Sequence, residues 1–223
     1  MAHTVLPQDR MRILLGGPHS EWPDELKNGE LSGPWAAADR GTIDLITLNQ
    51  PPIFAIGDFD SISPAERQKI EQVVPTVVQK FEQISTDTQA LLKAVDQRFS
   101  PKWIEIYGAT GGRADHALGN IWMFIEPDFR ELAQRVVLID RNNEIRFYLP
   151  GSYTIQRNPE LRYLGFAALE PVVNLELPDE KYPLQWSGGP KIWGSNEFNG
   201  SHNHFSFEQG MIAVIQSKDV KKA

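Results

Sequence analysis

Short apolar runs alternate with longer stretches of helical period over roughly the first 140 residues. Arg12–Gly16, Trp35–Ala38, Ile53–Ile56, Thr76–Val78, Trp103–Tyr107 and Val136–Ile139 read as strands, several of them bounded by Gly, Pro or Asp. Thr42–Leu48, Pro64–Val74, Thr86–Phe99 and Ala114–Ile125 read as helices. The third is the clearest: Thr88, Leu91, Leu92, Val95 and Phe99 recur at helical spacing, with Ser85 or Thr86 as N-cap. Pro64 suits a first turn, with Ser63 before it as cap. Strands alternating with helices predict a parallel sheet covered on both faces.

After about Arg141 the rhythm changes. Ile145–Leu149, Tyr153–Gln156, Tyr163–Ala168, Val172–Leu177, His204–Phe207 and Ile212–Ile215 are short, separated by turn residues, and show no sustained helical period. They predict antiparallel strands with hairpin connections. The expected fold class is α/β: a doubly wound, mostly parallel sheet domain over residues 11–142, then an all-β, sandwich-like domain over 143–223. Residues 1–10 are expected to form a loose N-terminal extension.

Composition narrows the chemistry. The 223 residues include no cysteine, which excludes a disulfide framework, a thiolate nucleophile, an iron–sulfur cluster and Cys-ligated zinc. Lys and Arg number 22 against 29 Asp and Glu, a net charge of −7 that argues against broad nucleic-acid binding. No segment approaches the ~18 apolar residues of a membrane span. The polar first ten residues carry no secretory h-region, so cytoplasm is the expected compartment.

Three segments carry candidate chemistry. Asp39-Arg40-Gly41 and Gly57-Asp58-Phe59-Asp60-Ser61 each follow a strand-like run, so their carboxylates fall at strand C-terminal ends, the edge where open α/β sheets bind ligands. In extended geometry Asp58 and Asp60 would share a side while Phe59 turns to the core. Convergent carboxylates suit Mg²⁺ completed by substrate phosphates; an Asp-rich turn closing a strand is the plainer reading. Gly108-Ala109-Thr110-Gly111-Gly112-Arg113-Ala114-Asp115-His116 links a strand to a helix. Its glycines let backbone N–H groups approach phosphate, and Arg113 adds a charge-assisted contact. The same loop matches a relaxed dinucleotide fingerprint, which leaves an NAD(P)- or nucleotide-binding module open. The acid pair likewise leaves open a Mg²⁺-dependent phosphohydrolase. Thr86-Asp87-Thr88 reads as an N-cap with a first-turn acid; in a doubly wound sheet that helix start would bring Asp87 to the same edge.

The order A-D-R-G, G-D-F-D-S, T-D-T and G-A-T-G-G-R-x-D-H resembles bacterial thiamine pyrophosphokinases, and so do Lys181-Tyr182-Pro183-Leu184 and Gly194-Ser195-Asn196-Glu197-Phe198. The resemblance spans about residues 12–216 and implies a Mg²⁺-dependent homodimeric transferase. Such an enzyme moves pyrophosphate from ATP to the hydroxyl of thiamine and releases AMP. By the same resemblance, Asp58, Asp60 and Asp87 become the catalytic and metal-binding acids. Asp39, Arg40, Gly111, Gly112, Arg113, Asp115 and His116 fall to the nucleotide and phosphates, and Ser195 and Asn196 to thiamine. The family's D-x-T-D acid is Ile84 here, with Gln83 before it and Glu82 the nearest acid, so weaker or redistributed metal binding is expected. Trp193 stands where the family segment is often smaller.

Overall fold

The computed structural model describes residues 9–81 and 84–220. The chain divides into two compact units, one of residues up to Met123 with Leu138–Arg141, the other of Phe124–Val137 with the residues from Asn142 on. Of the expected extension, residues 1–8 lie outside the described part, and Arg10 already opens the first strand. Glu82 and Gln83 also lie outside it.

The first unit carries β1 (Arg10–Leu14), β2 (Trp35–Ala38), β3 (Phe54–Gly57), β4 (Val77–Gln79) and β5 (Trp103–Tyr107), with the end of β6 (Val136–Ile139). Their order is β6-β5-β1-β2-β3-β4, and the pairs β5–β1, β1–β2, β2–β3 and β3–β4 are parallel. Chain order therefore runs outward from β1 through β2, β3 and β4, then returns to the other side of β1 with β5. That reversal makes the gap between β1 and β5 a topological switch point.

The α-helices of this unit among the described residues are α1 (Asp24–Lys27), α2 (Arg40–Thr47), α3 (Pro64–Val73), α4 (Asp87–Phe99) and α5 (Ala114–Trp122). The Trp-Ala-Ala-Ala of β2 and Phe-Ala-Ile-Gly of β3 are buried at every position, as strands covered on both faces must be. Leu14, Trp22, Leu26, Trp35 and Leu45 form one apolar cluster, and Ile43, Ile46, Ala55, Phe59, Ile70 and Val74 form another on the same face. On the opposite face α4 packs against β2 and β3, with the Phe99 ring on Phe54. Reciprocal capping boxes start the two longest helices, Ser63 with Glu66 on α3 and Thr86 with Gln89 on α4. Thr86 rather than Ser85 is thus the cap, which makes Asp87 the first helical residue.

The second unit begins with α6 (Pro127–Arg130) and continues as β7 (Asn143–Tyr148), β8 (Gly151–Gln156), β9 (Tyr163–Ala168), β10 (Val172–Leu177), β11 (Leu184–Gly188), β12 (Lys191–Glu197), β13 (His202–Phe207) and β14 (Ile212–Ser217). Two antiparallel sets, ordered β12-β9-β14-β7 and β11-β10-β13-β8, enclose a core of Leu164, Phe166, Val214, Leu175, Phe205 and Phe207. Residues 124–137 join this unit rather than the α/β one expected from the sequence. Phe124 packs on Phe147 with ring centroids 4.3 Å apart, and Arg130 pairs with Glu170 at 2.6 Å while donating to the Gly210 carbonyl. The sequence pattern misses β11 and β12, whose residues are mostly exposed or half-buried. Among the described residues no helix is long and apolar enough to cross a membrane.

Candidate active site

A cleft of about 720 Å³ opens at the switch point, within the size range of small-ligand sites. Its lining comes from the segments that follow the strand ends: Gly16, Gly17 and Pro18 after β1, Asp39 and Arg40 after β2, Ser61 beyond β3, Lys80 after β4, and the loop after β5. The strand ends meet closely. Gly108 holds φ at +70°, and a Cβ on Gly17 would overlap the Gly108 carbonyl, so neither position has room for a side chain.

Asp39 is the N-cap of α2 with φ +41°, a strained conformation for a residue with a Cβ. It lies directly over Gly57, where any Cβ would collide with Asp39 Oδ1. The same oxygen accepts the Phe59 N–H at 3.2 Å. Burial pushes the Asp39 carboxyl up to about 7, reinforced by the negative charge of Asp87, opposed by the Phe59 N–H, and reinforced again by Asp58. Asp87 arrives from the first turn of α4, close enough for its negative charge to act on Asp39. Its buried Oδ1 makes no hydrogen bond and faces Lys80 Nζ at 3.4 Å.

The Asp58-Phe59-Asp60 segment is not extended as expected. Phe59 takes a left-handed φ of +56°, which still buries its ring beside Ile43, Ile70 and Val74, as the sequence predicts. Asp60 is turned outward and exposed, and its N–H donates to Asp58 Oδ1 at 3.1 Å. Asp58 and Asp87 therefore both act on Asp39, whereas Asp60 is not among the groups acting on it, and neither Asp58 nor Asp60 lines the cleft. Among the described residues no three of His, Asp and Glu gather closely enough to hold a metal ion alone.

The loop after β5 divides in two. Gly112, Arg113, Asp115 and His116 line the cleft; Gly111, at φ +84°, packs its α-carbon against Glu21 instead. Buried Asn120 straps the loop by donating to the Ala109 carbonyl at 2.9 Å, and the Thr110 hydroxyl bonds Asp140. Arg113 and Asp115 form an exposed two-point pair, which holds the Asp115 carboxyl below its usual range. Arg40 is similarly engaged, by Glu66 at 2.7 Å.

In the second unit Ser195 holds φ +61° at a register shift between Trp193 and Asn196 on β12, with its side chain exposed. Asn196 is a clamp rather than an open ligand contact. It is buried, accepts the Tyr182 N–H at 3.0 Å and donates to the Tyr182 carbonyl at 2.9 Å. Its oxygen also accepts the Glu197 N–H. Nearby Glu180 is fully buried with neither carboxylate oxygen hydrogen-bonded, and burial pushes it up to about 7.

Sequence reasoning missed Lys80, the Gly16-Gly17-Pro18 turn and Asn120. Lys80 stood one residue past the end of a strand, the position that singled out Asp39 and Asp58. Its residue type reads as solvated surface, which kept it from notice.

The family model described as thiamin pyrophosphokinase, catalytic domain, matches residues 30–138; the one described as its vitamin B1 binding domain matches residues 152–212. Thiamine pyrophosphokinase of Bacillus subtilis is 35% identical over 214 residues, covering 94% of this chain and 99% of that protein. A solved thiamin pyrophosphokinase family protein from Enterococcus faecalis superposes with TM-score 0.88 at 40% identity, covering 95% of this chain and 100% of its own. A solved protein from Lactobacillus plantarum gives TM-score 0.87 at 43% identity, covering 95% and 99%.

Proposed function

The chain belongs to the thiamine pyrophosphokinase family, and from that premise we propose that it transfers the pyrophosphoryl group of ATP to the hydroxyl of thiamine, giving thiamine diphosphate and AMP. The carrying observation is the meeting of Asp39 and Asp87 on the floor of a nucleotide-sized cleft at the switch point. The α/β unit is the catalytic domain in this reading and the β unit the thiamine-binding domain.

The residues fit Mg²⁺. Two adjacent carboxylates, one with a buried oxygen that makes no hydrogen bond, are hard oxygen donors suited to an ion whose other positions go to phosphate and water. Asp39 and Asp87 would hold it, with Asp58 adding negative charge from behind. Bound Mg²⁺ supplies charge neutralisation on the polyphosphate oxygens.

The chain's own groups supply the rest. Pyrophosphoryl transfer depends on positioning and electrostatics more than on covalent help from the protein. The Gly108–Gly112 backbone and the start of α5 face the phosphates, with Arg113 beside them. The thiamine oxygen forms a bond to the β-phosphorus as the bond from that phosphorus to the α,β-bridging oxygen breaks. The leaving oxygen departs on AMP, and Asp58 or Asp87 accepts the hydroxyl proton. Asp115 and His116 shape the outer rim, Ser195 offers its hydroxyl to thiamine, and Asn196 holds that segment in place. A homodimer fits the exposure of Leu118 and Trp122 on α5, a helix on which Asn120 alone is buried.

The test is AMP release from ATP and Mg²⁺ with and without thiamine. AMP and thiamine diphosphate in equal amounts, formed only with thiamine, are expected. Orthophosphate release independent of thiamine would instead mark a phosphohydrolase.

A further inference from the structure

Side chains two residues apart on a strand stand on the same face of the sheet. His202 and His204 on β13 are such a pair: both are exposed, while Asn203 and Phe205 are buried on the other face. Their ring centroids lie 5.3 Å apart. An imidazole nitrogen binds a divalent transition metal at about 2 Å, so two rings sharing one tetrahedral ion have centres about 5 Å apart. The pair already stands at that spacing.

Neighbouring groups decide which nitrogen is bare. His204 Nδ1 lies 2.6 Å from Asp179 Oδ2, while Asp179 Oδ1 accepts the His204 N–H at 2.8 Å and the Asn203 amide at 3.1 Å. A carboxylate held by those donors accepts the Nδ1 proton as well, which leaves the Nε2 lone pair of His204 open. Metal-binding histidines are oriented in this way by a carboxylate behind the ring. His202 Nδ1 is 3.1 Å from the Ser201 hydroxyl, which can take its proton and leave Nε2 open likewise. Across the strand pair the two rings face Gln156 and Thr154 on β8, neither of them charged. His204 is half exposed, so an ion with its waters has access.

We propose that His202 and His204 form a site for a divalent transition metal, bound through Nε2 of both rings, with Asp179 as positioning residue. Among the described residues no three of His, Asp and Glu gather to hold an ion alone. Water therefore completes the coordination, and the site is open rather than a closed structural one. Imidazole suits Zn²⁺, Ni²⁺ and Cu²⁺, whereas Mg²⁺ takes oxygen ligands. The site is thus chemically separate from the acids Asp39 and Asp87, and it does not depend on the pyrophosphotransferase reading.

Zn²⁺ is the probe, added to the full chain in excess Mg²⁺. Its binding is measured by calorimetry on the parent, His202→Gln, His204→Gln and Asp179→Asn, and the imidazole signals of the parent are followed by NMR. Zn²⁺ should shift the ring signals of His202 and His204 and leave those of His19 and His116 in place. Each His→Gln variant should weaken this binding about 100-fold, and Asp179→Asn, with both ligands kept, about tenfold. Binding in the parent should fall as pH drops through the ordinary imidazole range, where protons compete for Nε2. Ring signals of His202 and His204 that do not respond to Zn²⁺ would overturn the site, and this readout needs no variant to fold. Equal affinity in parent and both His→Gln variants would overturn it too. Equal affinity in parent and Asp179→Asn would overturn the positioning role.

Discussion

The carboxylate of Asp87 lies close enough to Asp39 for its charge to raise the Asp39 carboxyl, although they come from the end of β2 and the first turn of α4. Two buried like charges repel, and the site keeps them together through geometry supplied by Gly57, the Phe59 N–H and the Thr86 cap. This costs stability and is the expected signature of a site built for a cation.

Removing one charge should therefore separate function from folding. Asp39→Asn is expected to lower activity by roughly 100-fold or more while leaving the unfolding temperature unchanged or slightly raised. Steady-state kinetics and thermal unfolding on the same preparation check both halves.

Gly57 provides a subtler lesion. Alanine there puts a methyl group where Asp39 Oδ1 lies, so the carboxylate must move. Gly57→Ala should keep the secondary structure seen by circular dichroism, lose most activity and weaken Mg²⁺ binding measured by calorimetry.

The two capping boxes make a matched comparison. Thr86→Ala and Ser63→Ala each remove one side-chain cap, and each should cost about 1 kcal/mol. Only Thr86 aims the adjacent Asp87 into the cleft. Urea unfolding should report similar losses for both variants, with a marked fall in activity for Thr86→Ala alone.

Glu180 predicts a pH dependence in the β unit. Its folded value of about 7 lies above the ordinary 4.5. Between those values the native state holds a proton that the unfolded chain has lost. The stability contributed by Glu180 should thus be full below about pH 4.5, fall by about 3 kcal/mol as pH rises to 7, and stay level above it. Glu180→Gln should flatten that slope, leaving the variant more stable than the parent at pH 8 by urea unfolding.

The α/β half was legible because its rules are local. The strands Trp35–Ala38, Trp103–Tyr107 and Val136–Ile139 were read with the bounds they have, and Ser63 is the cap its place before Pro64 implies. The motifs fall on one edge of the sheet, since strand ends and helix starts converge there by topology. The arrangement within that edge was not legible. A left-handed Phe59 swings Asp60 away, and the approach of Asp39 to Asp87 depends on contacts between segments far apart in the chain. Ser195 and Asn196 marked an important segment, but its nature as a bulge clamped to Tyr182 follows from pairing, not from residue type.

The most direct measurement of the central claim follows phosphorus through one turnover. The protein is incubated with Mg²⁺, thiamine and ATP labelled at the β-phosphorus, and the products are separated. Transfer of an intact pyrophosphoryl group predicts that the β-label enters thiamine diphosphate, with unlabelled AMP released in equal amount. Label recovered in ADP or orthophosphate, with thiamine unchanged or bearing one phosphate, would contradict it.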